Sequence, residues 1–359
     1  MTADASSMTV ETPAPRDAWD AIARSDPSAT ATQSVAFRDA ILASGQYRDM
    51  SRLYSFPSGT RVIMPLTRRR GWPSRLAIAE SWSADWGFCG PICEGGQIAA
   101  SEAAAVLQDV ARLGTLAAEI RLGRLPDRTW LTAAGQFTVD DAGCYVLDLD
   151  GGFEEVWQHK FRSGARRAVR KAEQSTLKVD IDRNGQLLST FYGLYETSIH
   201  RWAAMQHEPV WLTRRRMTRA VSPSVLALVA KSFGDACTTW VARLDGEPVA
   251  SIITLAYGNC MKFWRGAMDK DLAGPVRANN LLHRLAIEEA CQGGYRFYDM
   301  GYSVPGSSLA RFKESNGASL QLMQTLRTER IPIRAAERVA RTFAKRLVMI
   351  PRRMAVADD

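Results

Sequence analysis

Tyr298-Asp299-Met300-Gly301 closes a run of strand character, and Arg311-Phe312-Lys313-Glu314-Ser315-Asn316-Gly317-Ala318 follows it across a Gly- and Ser-rich loop. A lysine set just beyond a strand end, behind a flexible loop, reaches into a cleft. Its positive charge meets an oxyanion or a phosphate there. Phe312 beside it reads as a packed residue of an amphipathic turn. Asp299 reads equally as a turn former and as a group that orients Lys313 or an attacking amine.

Working outward, residues 238–244 and 248–257 alternate as strands joined by Asp245-Gly246-Glu247, a hairpin turn. Residues 261–268 form a further strand. Ala278, Leu281, Leu282, Leu285 and Ala286 then form one apolar helical face, which Gly293-Gly294 stops. Residues 296–300 and 319–328 are the last strands. The first half runs in the same order. Residues 52–56 and 61–67 flank the turn Pro57-Ser58-Gly59-Thr60, and a Trp/Gly/Pro-rich loop covers 82–96. A helix from Ser101 carries Val106, Val110, Leu113 and Ala117, and a strand follows over 119–125. Residues 18–23 and 34–44 read as helices. The halves share architecture rather than residues, as in a duplicated α+β domain.

The chain has 359 residues, 46% hydrophobic and 23% charged, the profile of a globular protein with room for two domains. Residues 1–16 are rich in Ser, Thr, Ala and Pro and lack the order of a signal peptide; they are expected to be a disordered tail. No apolar stretch is long enough to span a bilayer, so the expected location is cytoplasmic, with the inner face of the membrane as the alternative. The net charge of +8 is compatible with a polyanionic partner. Arg162, Arg166 and Arg170 recur at four-residue spacing on a helix expected over 153–174, with Arg167 and Lys171 beside them. Like charges on one face repel unless an anion or acidic partner neutralises them, so the face reads as a phosphate site, a solvated helix face or a salt-bridged domain contact. Arg334, Arg338, Arg341 and Lys345 line one face of a basic amphipathic tail helix suited to tRNA, a membrane surface or the first domain. Cys89-Gly-Pro-Ile-Cys93 has no second pair or nearby histidine, so no metal site is expected.

The pair "YDMG" and "FKESNGA", with the Arg-rich run "RRAVRKAE", resembles the Fem-type branch of the GNAT superfamily over roughly residues 153–326. That resemblance implies two tandem GNAT-like domains, each a mixed sheet flanked by helices, with a cleft between or beside them. The expected units are 17–149, a degenerate first domain; 150–330, the domain with the site; and 331–359, the basic helix and tail. It implies an acyltransferase that moves an aminoacyl group from aminoacyl-tRNA to an amine acceptor, a cell-envelope precursor or small metabolite bearing phosphate. Lys313 is expected to stabilise charge during acyl transfer, with Phe312 and Asp299 positioning. Arg166, Arg167, Arg170, Tyr302 and Ser303 are expected to bind substrate. No cofactor, metal or DNA is expected; peripheral membrane contact is. The loop 269–280 lacks the glycine-rich turn that holds the pyrophosphate of acetyl-CoA. Acyl-CoA-dependent N-acylation stays as the alternative donor chemistry, and a non-catalytic tRNA- or envelope-binding protein as the alternative from another class.

Overall fold

The computed structural model describes residues 8–82, 86–123 and 128–331; the tail helix expected around Arg334–Lys345 lies outside them. A mixed sheet of eleven strands runs through the molecule. From one edge its order is Lys178–Asp182, Cys237–Leu244, Glu247–Tyr257, Cys260–Met268, Phe297–Tyr302, Thr138–Asp148, Ser319–Glu329, Ala117–Arg121, Ile78–Glu80, Thr67–Arg69 and Tyr47–Asp49. Two rungs are parallel: Cys260–Met268 beside Phe297–Tyr302, and Ile78–Glu80 beside Ala117–Arg121. Each parallel pair is bridged by a helix, Ala278–Gln292 in one half and Ala100–Ala111 in the other. This is the duplicated α+β unit expected from the sequence, a tandem GNAT-like fold.

The halves are interlocked at the centre. Thr138–Asp148, which ends the first half, pairs with Phe297–Tyr302 of the second. Ser319–Glu329, which ends the second half, pairs with Ala117–Arg121 of the first and with Thr138–Asp148. A division of the chain at residue 149 therefore cuts through one sheet. The cores also cross that division. Trp19, Phe37, Trp82 and Trp86 pack in one buried cluster with Phe191, Ile253, Leu255 and Trp264. Ring contacts join Phe37 to Trp264 at 6.0 Å and to Phe233 at 6.5 Å.

Several expectations need correction. Thr9–Glu11, placed in the disordered tail, is a strand paired with Arg52–Ser55, and Ala14 is buried with its N–H on the Ser51 carbonyl. The hairpin Arg52–Ser55 and Arg61–Met64 forms, but in a separate four-stranded sheet. The first-half counterpart of the main-sheet strands is instead Thr67–Arg69, Ile78–Glu80 and Ala117–Arg121. The helix expected over 153–174 breaks at Phe161, whose backbone is extended. It comprises Gly152–Glu155, a π-helical turn Val156–Lys160, and Ser163–Glu173. The sequence predicts no strand over 138–148 and no element over 175–236; strands Thr138–Asp148 and Lys178–Asp182 and helices Leu188–Gln206, Val210–Ala220 and Pro223–Phe233 occupy them. Among the described residues no helix is long and apolar enough to cross a membrane.

Because the central strands are exchanged, neither half can satisfy its own sheet. Fragments 1–149 and 150–359 made separately are expected to show no cooperative urea transition by circular dichroism, and to regain one when co-expressed. A fragment that unfolds cooperatively alone would show that the exchange is dispensable.

Candidate functional site

The site grows from the one parallel rung in the second half. Cys260, Met261 and Lys262 pair with Phe297, Tyr298 and Asp299, and there the pairing ends. Beyond Lys262 the strand continues to Met268 without that neighbour, so the two strands part and open a wedge. Lys262 and Asp299 are register partners at the last rung. Their side chains meet as a buried ion pair, Nζ to Oδ2 at 2.6 Å. On its other side Phe297–Tyr302 pairs with Thr138–Asp148, with a bulge between Asp299 and Gly301. Gly301 has φ of 73°, a conformation that favours glycine, and its N–H donates to Asp299 Oδ1 at 2.7 Å. The Cys144 thiol donates to the same oxygen at 3.3 Å. Burial works against both charges. The pairing outweighs it, holding the Asp299 carboxyl below the ordinary carboxylate range and the Lys262 ammonium above its own. Burial pushes the Cys144 thiol well up, so it stays protonated.

Lys313 sits on the helix Ser308–Ser315, which Ser307 caps by accepting from the Ala310 N–H. Lys313 is thus helical, behind the loop, and only 2% exposed. Its Nζ donates to the Gly301 carbonyl at 2.9 Å and the Tyr302 carbonyl at 2.8 Å, at the bulged strand end. An ammonium has three protons, so one donor is left over. Burial lowers the Lys313 pKa to about 8, with the charge of Lys262 acting in the same direction. Asp299 does not bond Lys313; it neutralises Lys262. The trio Lys262, Asp299 and Lys313 therefore carries one uncompensated positive charge at neutral pH. Phe312 packs against His283, ring centroids 5.4 Å apart, and His283 also meets Phe263 at 4.7 Å. Burial, then the nearby Lys313 charge, pushes His283 down to about 3. It is a neutral imidazole bonded through Nδ1 to the Tyr298 hydroxyl at 3.1 Å.

The wedge holds a cavity of about 590 Å³. Lys313, Phe312 and His283 lie on its wall, with Trp202, Trp264 and Met300 among the apolar lining and Arg201, Arg265 and Lys270 among the polar lining. Among the lining atoms, Trp264 Nε1 and Asn279 Oδ1 are buried with no hydrogen-bond partner among the described residues. A donor and an acceptor are thereby left for a bound molecule or water.

The basic helix is arranged differently from the expectation. Arg166 turns back and donates to the carbonyls of Trp157, Gln158 and Phe161, capping the π-helical turn that ends at Lys160. Its role is structural, and the helix break at Phe161 is the cause. Arg170 is exposed and lies off the neighbouring hollow. That hollow, about 630 Å³, is instead walled by Arg162, Arg167, Lys171 and Arg277 with Ser163 and Asn280. The first turns of two helices, Ser163–Glu173 and Ala278–Gln292, contribute to it, and no side chain caps either start. Of the remaining expected residues, Tyr302 is exposed, while Ser303 is buried and its hydroxyl donates to the Tyr302 carbonyl at 2.8 Å. In the loop before Ala278, Asp269 accepts from the amides of Asp271 and Leu272, so those amides are already used.

Lys262, His283, Arg277 and Cys144 were not singled out from sequence. Lys262 lies 37 positions from its partner, and no local period links them. The strand-plus-register logic that places Asp299 at a strand end would have found Lys262 only once the parallel pairing was known.

The combination of a wedge between parallel strands, a helix bridging them and a tandem repeat defines the class as a GNAT-type fold in Fem-like duplicated form. A family model described as an acetyltransferase (GNAT) domain matches residues 159–314, which carry most of this site. The chain is similar in structure to FemX, with a TM-score of 0.62 at 13% identity over 88% of this chain and 96% of that one. It is also similar to a tandem GNAT protein from the clavulanic acid biosynthesis pathway, solved without acetyl-CoA. That match has a TM-score of 0.50 at 10% identity and covers 88% of this chain and 94% of the other. A conserved protein of unknown function from Bacteroides thetaiotaomicron aligns at a TM-score of 0.53 and 11% identity, covering 90% of this chain and 99% of that one. No curated protein sequence matches the chain. The chain thus shares the tandem GNAT fold, and its match to the acetyltransferase (GNAT) domain model lies within residues 159–314.

Two outcomes follow from the buried charges. Asp299→Asn leaves Lys262 buried and unpaired beside Lys313, so urea unfolding should show a loss of about 3–5 kcal/mol. Replacing both partners, Lys262→Met with Asp299→Leu, should recover much of that loss; a single variant within about 1 kcal/mol of wild type would contradict the account. Lys313 has a folded pKa below its ordinary value of 10.5, so its charged form opposes folding below pH 8. That opposition is relieved as pH rises from about 8 toward 10.5, and stability attributable to Lys313 should rise over this window. Lys313→Met should abolish that rise in a pH series of urea midpoints.

Proposed function

We propose that the protein forms an amide by moving an aminoacyl group from the ester of an aminoacyl-tRNA to an amine acceptor bearing phosphate. An envelope precursor or a small metabolite fits that description. The observation that carries this reading is the spare N–H of Lys313, a buried ammonium with two protons spent on backbone carbonyls, on the wall of the wedge cavity. The acceptor nitrogen attacks the ester carbonyl carbon. The C–N bond forms, the C–O bond to the ribose breaks, and a proton passes from nitrogen to the departing ribose oxygen. Negative charge builds on the carbonyl oxygen and then on the ribose oxygen. An ammonium held at a pKa of about 8 is largely charged at neutral pH and stabilises that charge in a water-poor site. Phe312, held against neutral His283, fixes the helix turn that presents Lys313. Aminolysis of an ester is downhill, so orientation and charge stabilisation are what the protein must supply.

The hollow walled by Arg162, Arg167, Lys171 and Arg277 is the phosphate site of this reading, replacing the face of Arg166 and Arg170. Four cations and two uncapped helix starts suit a phosphate or diphosphate. The same observation favours one second reading, in which the phosphates belong to an acyl-CoA donor.

Lys313→Ala should lower kcat by roughly a hundred- to a thousandfold with KM nearly unchanged, because the lost interaction exists only in the transition state. Lys313→Arg should recover part of it, since the planar guanidinium places its donors differently. Arg167→Glu with Arg277→Glu should instead raise KM for the phosphorylated substrate. Single-turnover and steady-state rates on these variants test the assignment; near-normal kcat in Lys313→Ala removes Lys313 from it.

A further inference from the structure

The far edge of the main sheet carries a second basic hollow, five to six strand spacings from Phe297–Tyr302 and so roughly 24–29 Å from the acyl-transfer site. Its walls are Arg48, Arg68, Arg70, Gly71, Trp72 and Pro73, enclosing about 710 Å³. Arg48 lies on the edge strand Tyr47–Asp49, and Arg68 on its neighbour Thr67–Arg69. The loop that follows is tightly built. Arg68 donates to the Trp72 carbonyl at 2.8 Å, Arg70 donates to the Tyr47 carbonyl at 3.2 Å, and Gly71 takes a φ of 89°. A short helical turn, Ser74–Leu76, closes it. At the outside of this loop Trp72 is 59% exposed and Leu76 53%.

Charge at this edge is one-sided. Arg48, Arg68, Arg70 and Arg75 form no ion pair with any described residue, and the nearby acids are committed elsewhere. Asp49 pairs with Arg38 at 2.7 Å, and Glu80 lies 3.6 Å from Arg121. Charged residues on an edge strand guard against edge-to-edge pairing, which accounts for arginines there. It does not account for a tryptophan and a leucine held outward between them. A nucleic-acid backbone would be served by the cations and by a stacking ring, but Leu76 offers no π face. An anionic bilayer surface uses all three elements: arginines on lipid phosphates, an indole at the headgroup level and an aliphatic side chain just below it.

We propose that the loop 70–76 and the edge strand beside it dock the protein on anionic lipid bilayers, with Arg48, Arg68, Arg70 and Arg75 on headgroup phosphates and Trp72 and Leu76 inserted at the interface. The inference is independent of the acyl-transfer reading, because it concerns the opposite edge of the sheet.

The full-length protein should co-sediment with vesicles of phosphatidylcholine plus phosphatidylglycerol, and much less with phosphatidylcholine alone, with binding that falls as salt is added. Arg48→Glu with Arg75→Glu, both exposed and outside the loop's bracing contacts, should lower the partition coefficient by about 25-fold or more, at roughly fivefold per arginine. Trp72→Phe keeps an apolar ring, so it should bind nearly as well as wild type. It should, however, lose a measurable part of the tryptophan quenching produced by brominated lipids. Unchanged partition in the double variant, or unchanged quenching in Trp72→Phe, overturns the proposal. So does a double variant that loses affinity for bulk tRNA in filter binding while keeping its affinity for vesicles, which would assign the surface to RNA.

Discussion

The site depends on one rung of one sheet. Lys262 faces Asp299 at the last paired position before two parallel strands part. Were the pairing to continue, the wedge would be closed by backbone hydrogen bonds and no cavity would exist. Were it to stop earlier, Asp299 would have no buried counter-charge and would face protonation or collapse of the strand end. The bulge at Asp299–Gly301 completes the arrangement. The carbonyls of Gly301 and Tyr302, just past it, both accept from Lys313. A strand irregularity is thereby converted into a holder for a buried ammonium.

The electrostatics follow from that geometry. A single buried ion pair would leave the wedge neutral and chemically idle. Adding Lys313 without a second carboxylate leaves an excess positive charge where water is scarce, and the depressed pKa of about 8 records what that costs. Such an arrangement is hard to justify by folding alone, since backbone carbonyls stabilise an ammonium less well than a carboxylate does. It becomes economical if negative charge appears beside it during a reaction. His283 fits the same logic: burial and the Lys313 charge keep it neutral, so it adds packing without adding repulsion.

Much of this was legible in the chain. Alternation and turn chemistry located the second-half strands from Cys237 onward to within a residue or two, and the helix Ala278–Gln292 with its glycine stop, but not the edge strand Lys178–Asp182. The separation of Asp299 from Phe312-Lys313 across a short loop was enough to bring all three to one wedge. What stayed hidden was set by register and by pairing between distant segments. The exchange of Thr138–Asp148 and Ser319–Glu329 leaves no trace in local periodicity, since either strand would look the same in its own half. Lys262 is one position in a buried strand, recognisable only through its partner. Arg166 and Arg170 share a helical face in sequence, yet the break at Phe161 gives Arg166 three carbonyls to cap and shifts the charge cluster to Arg162, Arg167, Lys171 and Arg277.

The proposed reaction in the wedge takes its acyl group from an ester carried by RNA. The most direct measurement is single-turnover amide formation with labelled aminoacyl-tRNAs and, separately, labelled acetyl-CoA, each with phosphorylated and unphosphorylated amine acceptors. The donors are used with and without prior RNase treatment. The account predicts labelled amide from an aminoacyl-tRNA, abolished by RNase, greatest with a phosphorylated acceptor and absent with acetyl-CoA. Amide formed from acetyl-CoA alone, indifferent to RNase, would contradict it.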